Sequence, residues 1–245
     1  MFPGIGTLIN VIAILLGASA GVLLGSKLPS RTRLLITDVL GLVTLLGAAG
    51  AIRSLWAPRF LAALPTGWSL LCVLTSLLIG GFIGSMAKLE DHLDSFGERL
   101  RQRFGASDDS PFVEGFVSAS LLFAIGPLAI LGSISDGMST GVEQLLLKST
   151  LDGFAAMAFA ASLGWGVALA FIPVAIYQGF WTVVGLGLGS VLVDYQVDAM
   201  TATGGVMLLC IGLRLLKLKE IAVGNLLPSL AVAPLVALVL HSFVN

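Results

Sequence analysis

Residues 153–193 read GFAAMAFAASLGWGVALAFIPVAIYQGFWTVVGLGLGSVLV, a stretch without one charged side chain. Soluble domains do not carry so long a neutral, apolar run, because too little polar surface is left to cover it. A helix crosses the roughly 30 Å hydrocarbon core of a bilayer in about 20 residues. The run is therefore too long for one crossing. Gly164-Trp165-Gly166 is the expected turn inside it.

The rest of the chain agrees. Of 245 residues, 57% are hydrophobic and 11% charged, against roughly 45–50% and about 25% in average soluble domains. The 13 basic and 14 acidic residues nearly cancel. This composition excludes a soluble enzyme, a disordered chain and a basic nucleic-acid binder, so no nucleic-acid partner is expected. Cys72 and Cys210 both lie in apolar runs, and His92 and His241 are the only histidines. A disulfide scaffold, a metal centre and most catalytic triads are thereby disfavoured. No cofactor and no catalytic residue is expected.

The fold class is all-α, a polytopic transmembrane bundle over residues 1–245. Eight spans are predicted, near 4–24, 34–52, 67–87, 113–134, 147–164, 168–192, 201–217 and 221–243. Seven spans plus a re-entrant segment is the alternative. No Lys or Arg precedes the first apolar run, as a cleavable signal peptide would require, so it reads as a retained span. Cytoplasmic loops collect positive charge. Lys27, Arg31, Arg33, Lys88, Arg99, Arg101, Arg103, Arg214, Lys217 and Lys219 fall on one side, and Arg53, Arg59 and Lys148 on the other. That asymmetry places both termini outside.

In the longest loop, 88–111, Leu89, Leu93, Phe96, Leu100 and Phe104 share one helical face. An amphipathic helix over 88–105, lying on the cytoplasmic surface, is expected. Four basic and four acidic residues there balance, which argues against a polybasic lipid site. A docking site for a cytoplasmic partner is the other use of this helix, and 106–111 reads as a hinge.

Residues 21–28, GVLLGSKL, align with 185–192, GLGLGSVL, at five of eight positions. The offset maps spans 1–3 onto spans 6–8, running oppositely, which is an inverted repeat of the kind found in transporters. Gly17/Gly21/Gly25, Gly80/Gly84 and Gly185/Gly189 have small-xxx-small spacing. Such spacing lets helices approach closely in lipid, within the chain or in a homo-oligomer. Gly17-Ala18-Ser19-Ala20-Gly21 matches a hydrolase elbow in letters. It sits in mid-helix with no histidine base, so packing is the preferred reading.

Span 4 contains Glu114, Ser118, Ser120, Phe123, Gly126 and Pro127. A proline there removes a backbone donor and clashes with the carbonyl four residues back. Broken helices at membrane depth occur where they are buried or line a cavity. A simple proline kink and a polar-solute or ion site remain open for it. Tyr177 and Gln178 in span 6 are the proposed counterpart, with Thr7 and Asn10 beside them in span 1. A lone amide at that depth needs a hydrogen-bond partner, from another helix or from a ligand. Asp38, Glu114, Lys148, Asp152 and Arg214 stand inside or at the edges of spans. They read as structural ion pairs or as gating groups, Lys148 with Asp152 at i,i+4 and Asp38 with Arg214 across helices.

Several blocks then match a known family in order: GTLIN (6–10), EGFVSASLLFAIGPLAILGSISDG (114–137), LLLKSTLDG (145–153), GWGV (164–167), YQG (177–179), GGVMLLCIGLRLL (204–216) and NLLP (225–228). The chain resembles the YdfK/YqgA-like bacterial inner-membrane proteins, the domain of unknown function 554 family. The resemblance covers nearly the whole chain. Members often carry Cys at the place of Ala124 and Met at that of Leu128. It implies a multi-pass protein of the bacterial cytoplasmic membrane and transfers no reaction. The leading expectation is a transporter or permease for an unknown small solute or ion. A non-transporting scaffold that binds protein partners is the alternative.

Overall fold

The computed structural model describes residues 2–107, 110–188 and 192–243. Its regular elements are helical throughout: α1 (Ile5–Gly25), α2 (Ser30–Ile52), α3 (Pro58–Ala63), α4 (Trp68–Met86), α5 (Leu89–Arg103), α6 (Phe112–Ala124), α7 (Pro127–Gly137), α8 (Glu143–Leu163), α9 (Phe171–Leu188), α10 (Asp194–Leu215) and α11 (Ser229–His241). Short 3-10 turns occupy Arg53–Trp56, Gly164–Ala170 and Val223–Leu226.

Six helical runs among the described residues are long and apolar enough to cross a membrane: Ile5–Gly25, Ser30–Trp56, Trp68–Met86, Glu143–Gly187, Asp194–Leu215 and Val223–His241. A seventh forms if α6 and α7, bent by 62° at their junction, count as one span. The difference from the eight expected lies in Glu143–Gly187. There the Gly164–Ala170 turn stays helical and joins α8 to α9 in one 45-residue run. Gly164 stops α8 with φ 78, a backbone conformation that only glycine adopts without strain.

The chain divides into two compact units. The first comprises 1–40, 93–124 and 128–190; the second comprises 41–92, 125–127 and 191–245. In the first, α6 is the enclosed element, with ten of its 13 residues buried. It packs on α8, α9 and the Gly164–Ala170 turn. Gly115 and Gly166 make that approach close, since a methyl group on Gly166 would overlap the Phe112 carbonyl.

Helix α1 packs on α8 along its length. Methyl groups added at Gly17, Gly21 and Gly25 would run into the carbonyl oxygens of Gly153, Met157 and Ala161. Both sets advance together by four residues, so the two helices run parallel. On α1, Leu8, Ile12, Leu16 and Leu23 are exposed. Apolar side chains left outside at helical spacing are what lipid covers. The GxSxG letters lie in one uninterrupted helix, with both glycines used for packing, the reading preferred from the sequence.

In the second unit, Gly80 and Gly84 of α4 press on Ser229 and on the Asn225 carbonyl. Here one series rises as the other falls, so the chains are antiparallel. Leu55, Phe60, Cys72, Val73, Ala199 and Ala233 form its core. The glycine faces that the sequence offers to a second copy are therefore filled by this chain's own helices. Gly185 meets the Ile134 carbonyl in the same way. Gly189, Ser190 and Val191, which the repeat alignment needs, lie outside the described residues, as do residues 108–109 of the expected hinge.

The amphipathic helix forms as α5. Its apolar face meets protein: Phe96 stacks edge-on against Phe116 at 5.8 Å, and Gly97 is covered by the same ring. Glu98 is clamped by Arg101, whose guanidinium holds its carboxyl down to about 2, with Gln102 adding a second hydrogen bond.

Candidate functional site: the polar interior of the first unit

Helix α1 begins without a side-chain cap of its own. Its first N–H groups need acceptors. One comes from far along the chain: the Gly6 N–H donates to Asp136 Oδ2 at 2.9 Å. Asp136 sits in the last turn of α7 and is 2% exposed. A carboxylate at a helix N-terminus is favoured by the macrodipole as well as by the hydrogen bond. A methyl group on residue 6 would collide with Leu145 and crowd that carboxylate.

One turn further along α1, Asn10 Nδ2 donates to Asp152 Oδ2 at 3.0 Å. Lys148 Nζ reaches the same oxygen at 2.6 Å. Asn10, Lys148 and Asp152 are all buried. The i,i+4 pair expected from the sequence is therefore present, with an amide from α1 as its third member.

Several buried polar atoms in this unit have no partner among the described residues: Thr7 Oγ1, Asn10 Oδ1, Ser118 Oγ, and both Nε2 and Oε1 of Gln178. Those four residues were singled out by the sequence. Gln178 is 0% exposed. Thr182 and Gly185 follow it on the same face of α9 and press on α7 at Gly137 and Ile134.

The other expected site residues fall differently. Ser120 donates to its own helix at the Phe116 carbonyl, so its hydroxyl is spent. Phe123 is buried core. Tyr177 turns its ring edge-on to Trp181 at 6.4 Å. The break itself, Ile125–Gly126, belongs to the second unit, where it packs near Gly204. Gly126 takes φ 133 there. The Pro127 side chain lies outside the described set.

Asp38 is exposed and Glu114 half-buried. Arg214 pairs with Glu90 at 2.5 Å and with Glu220 at 3.4 Å, in place of the Asp38 expected from the sequence. Glu90 Oε2 also accepts the Gly224 N–H, and the Glu90 N–H donates to Asn225 Oδ1. Arg59 grips Asp198 through two nitrogens, at 2.7 and 3.3 Å. Glu90→Ala is expected to lower the unfolding temperature clearly, because it removes the closer partner of a half-buried guanidinium and strands the buried Gly224 N–H. Glu90→Gln, which keeps the acceptor oxygen, should lose less; equal midpoints for both variants and the parent would refute this role.

Sequence reasoning missed Asp136, Glu90, Arg59 and Asp198. The one available signal for Asp136 was a carboxylate two residues past the predicted end of span 4. A crevice of about 160 Å3 opens beside it, lined by Asp136, Ser139, Thr140, Gly141, Val142 and Glu143. A larger recess of about 550 Å3 is walled by Leu15, Phe104, Phe112, Trp165 and Leu169 among others. Apart from the Trp165 indole, its lining side chains are apolar.

Helices of this length and exposure, wrapped around buried charges and amides, define a multi-span membrane protein in contact with the bilayer. The chain belongs to the family described as "Protein of unknown function (DUF554)", which matches residues 5–238. It is 32% identical over 239 residues to the uncharacterised protein YqgA of Escherichia coli (strain K12), covering 94% of each chain. It is 28% identical over 238 residues to the uncharacterised membrane protein YdfK of Bacillus subtilis (strain 168), covering 97% of each. No solved structure matches.

Proposed function

We propose that this chain is a permease of the bacterial inner membrane that passes a small polar solute through its first unit, without a catalytic step. The observation that carries this reading is Gln178, fully buried with both ends of its amide unpartnered. Each unmade buried hydrogen bond costs about 1–3 kcal/mol. A solute bearing both a donor and an acceptor, such as a polyol, an amide or an amino acid, meets both ends at once. Ser118, Thr7 and Asn10 add unpartnered oxygens in the same unit.

The topology that goes with it has eight spans and both termini outside. One observation supports the eighth crossing: a straight 45-residue helix would be about 67 Å long, more than twice a bilayer core. The parallel course of α1 and α8 suits spans one and five whether seven or eight are counted. Rocking of spans 1–3 against 6–8 is the transport motion that an inverted repeat would provide.

Single cysteines test the path. In a background of Cys72→Ala and Cys210→Ala, Ser118→Cys and Gln178→Cys are expected to react with a charged, membrane-impermeant thiosulfonate. Ile176→Cys, on the exposed apolar face of α9, should not. Labelling at Ser139→Cys with silence at 118 and 178 from either side would mean a sealed interior. The scaffold reading would then replace the permease.

A further inference from the structure

Among the described residues of the first unit, the buried ionisable groups are Asp136, Lys148 and Asp152. They comprise two carboxylates and one ammonium. Lys148 is committed to Asp152, and Asp136 has only the Gly6 N–H and the partial charge of a helix end. A carboxylate held in such a place is paired, takes up a proton or binds a cation.

The turn of α1 between the two carboxylates supplies what such a cation would bind. Gly6 is fixed to Asp136 and Asn10 to Asp152, i and i+4 on one face. Asn10 has turned its nitrogen to the carboxylate, so its oxygen, in the same planar amide, stands beside that carboxylate with no donor. Thr7 Oγ1, three residues earlier, has no partner either. Both side chains are nine-tenths buried or more.

We propose that this turn binds a monovalent alkali cation, sodium in the first instance, through Asn10 Oδ1 and Thr7 Oγ1 with the flanking carboxylates supplying the charge. The donors are hard oxygens, with no thiol or imidazole among them, which selects alkali over transition metals. Among the described residues no three metal-ligating His, Cys, Asp or Glu side chains cluster, and the surplus is a single charge, which selects monovalent over divalent ions. As a coupling ion this cation rests on the permease reading; as a bound ion it does not.

The test uses the purified full-length chain in detergent, with choline chloride replaced stepwise by sodium chloride at constant ionic strength. Thermal unfolding should move upward and saturate with sodium. Asn10→Ala and Thr7→Val should each raise the half-saturating sodium concentration by roughly tenfold or more, the worth of one charged contact. Leu16→Ala, at an exposed position of the same helix, should keep the parent response. Equal unfolding temperatures in sodium and choline overturn the proposal, as does a sodium response unchanged in both variants. Should the variants fail to fold, radioactive sodium binding to the parent protein decides, with one ion per chain expected and none overturning it. A sodium response without thiol labelling at 118 and 178 keeps the cation and removes the permease; labelling without a sodium response does the reverse.

Discussion

Gly21→Leu is expected to leave no folded protein in a detergent extract, and Gly21→Ala to lower the unfolding temperature by several degrees. The added carbon meets the carbonyl of Met157, its carbonyl carbon and the Ala160 methyl. Two of those three atoms are backbone, so no rotamer change relieves the clash. Overpacking a close interface costs about 1–3 kcal/mol when side chains can shift; here a whole helix must move. Gly17 and Gly25 stand in the same relation to α8, so leucine at either should behave alike. Gly179→Ala is the control. Nothing lies within contact of a methyl group there, and alanine gains up to about 1 kcal/mol of helix propensity over glycine. Equal thermal midpoints for Gly21→Ala and Gly179→Ala would show that the α1–α8 contact is looser than described.

The second large effect is expected at the buried pair. Lys148→Met leaves Asp152 with one amide donor, and removing one partner of a buried ion pair costs about 3–5 kcal/mol. That is a large share of a total stability of about 5–15 kcal/mol. Joint replacement, Lys148→Met with Asp152→Leu, should recover most of the loss, since neither charge is then stranded. A double-mutant cycle on unfolding midpoints measures the coupling. Additive losses would place both side chains in water.

The interior carries few charges, yet they were only partly legible. Lys148 with Asp152 was readable because the pair is local: i,i+4 spacing on any helix brings two side chains together. Asn10 joins them from 142 residues away, and no spacing rule reaches that far. Asp136 was missed for the same reason. It caps a helix at Gly6, 130 residues earlier, and in the sequence it looks like the tail of a loop. By position alone Arg214 was matched with Asp38. The fold gave it Glu90 because the first turn of α5 is pinned by Asn225 and Gly224.

The serines show the limit most plainly. Ser118 and Ser120 stand two residues apart on one helix. Ser120 turns back to the Phe116 carbonyl, while Ser118 is left without a partner. Helical periodicity separates their faces by about 200°, but which face meets protein depends on neighbours that the local sequence does not name.

Membrane insertion, helical content, the amphipathic α5 and the glycine contact faces were settled by the sequence alone. Transfer of apolar side chains into lipid and the pairing of backbone groups within a helix act one segment at a time, so a local window suffices. Tertiary structure alone decided that α1 runs beside α8 and parallel to it, that Asp136 closes the start of α1, and that the break after α6 belongs to the second unit. Many faces of these helices are equally apolar, and lipid does not distinguish them. Only the close fit of glycine to carbonyl, and of buried donor to distant acceptor, selects among them.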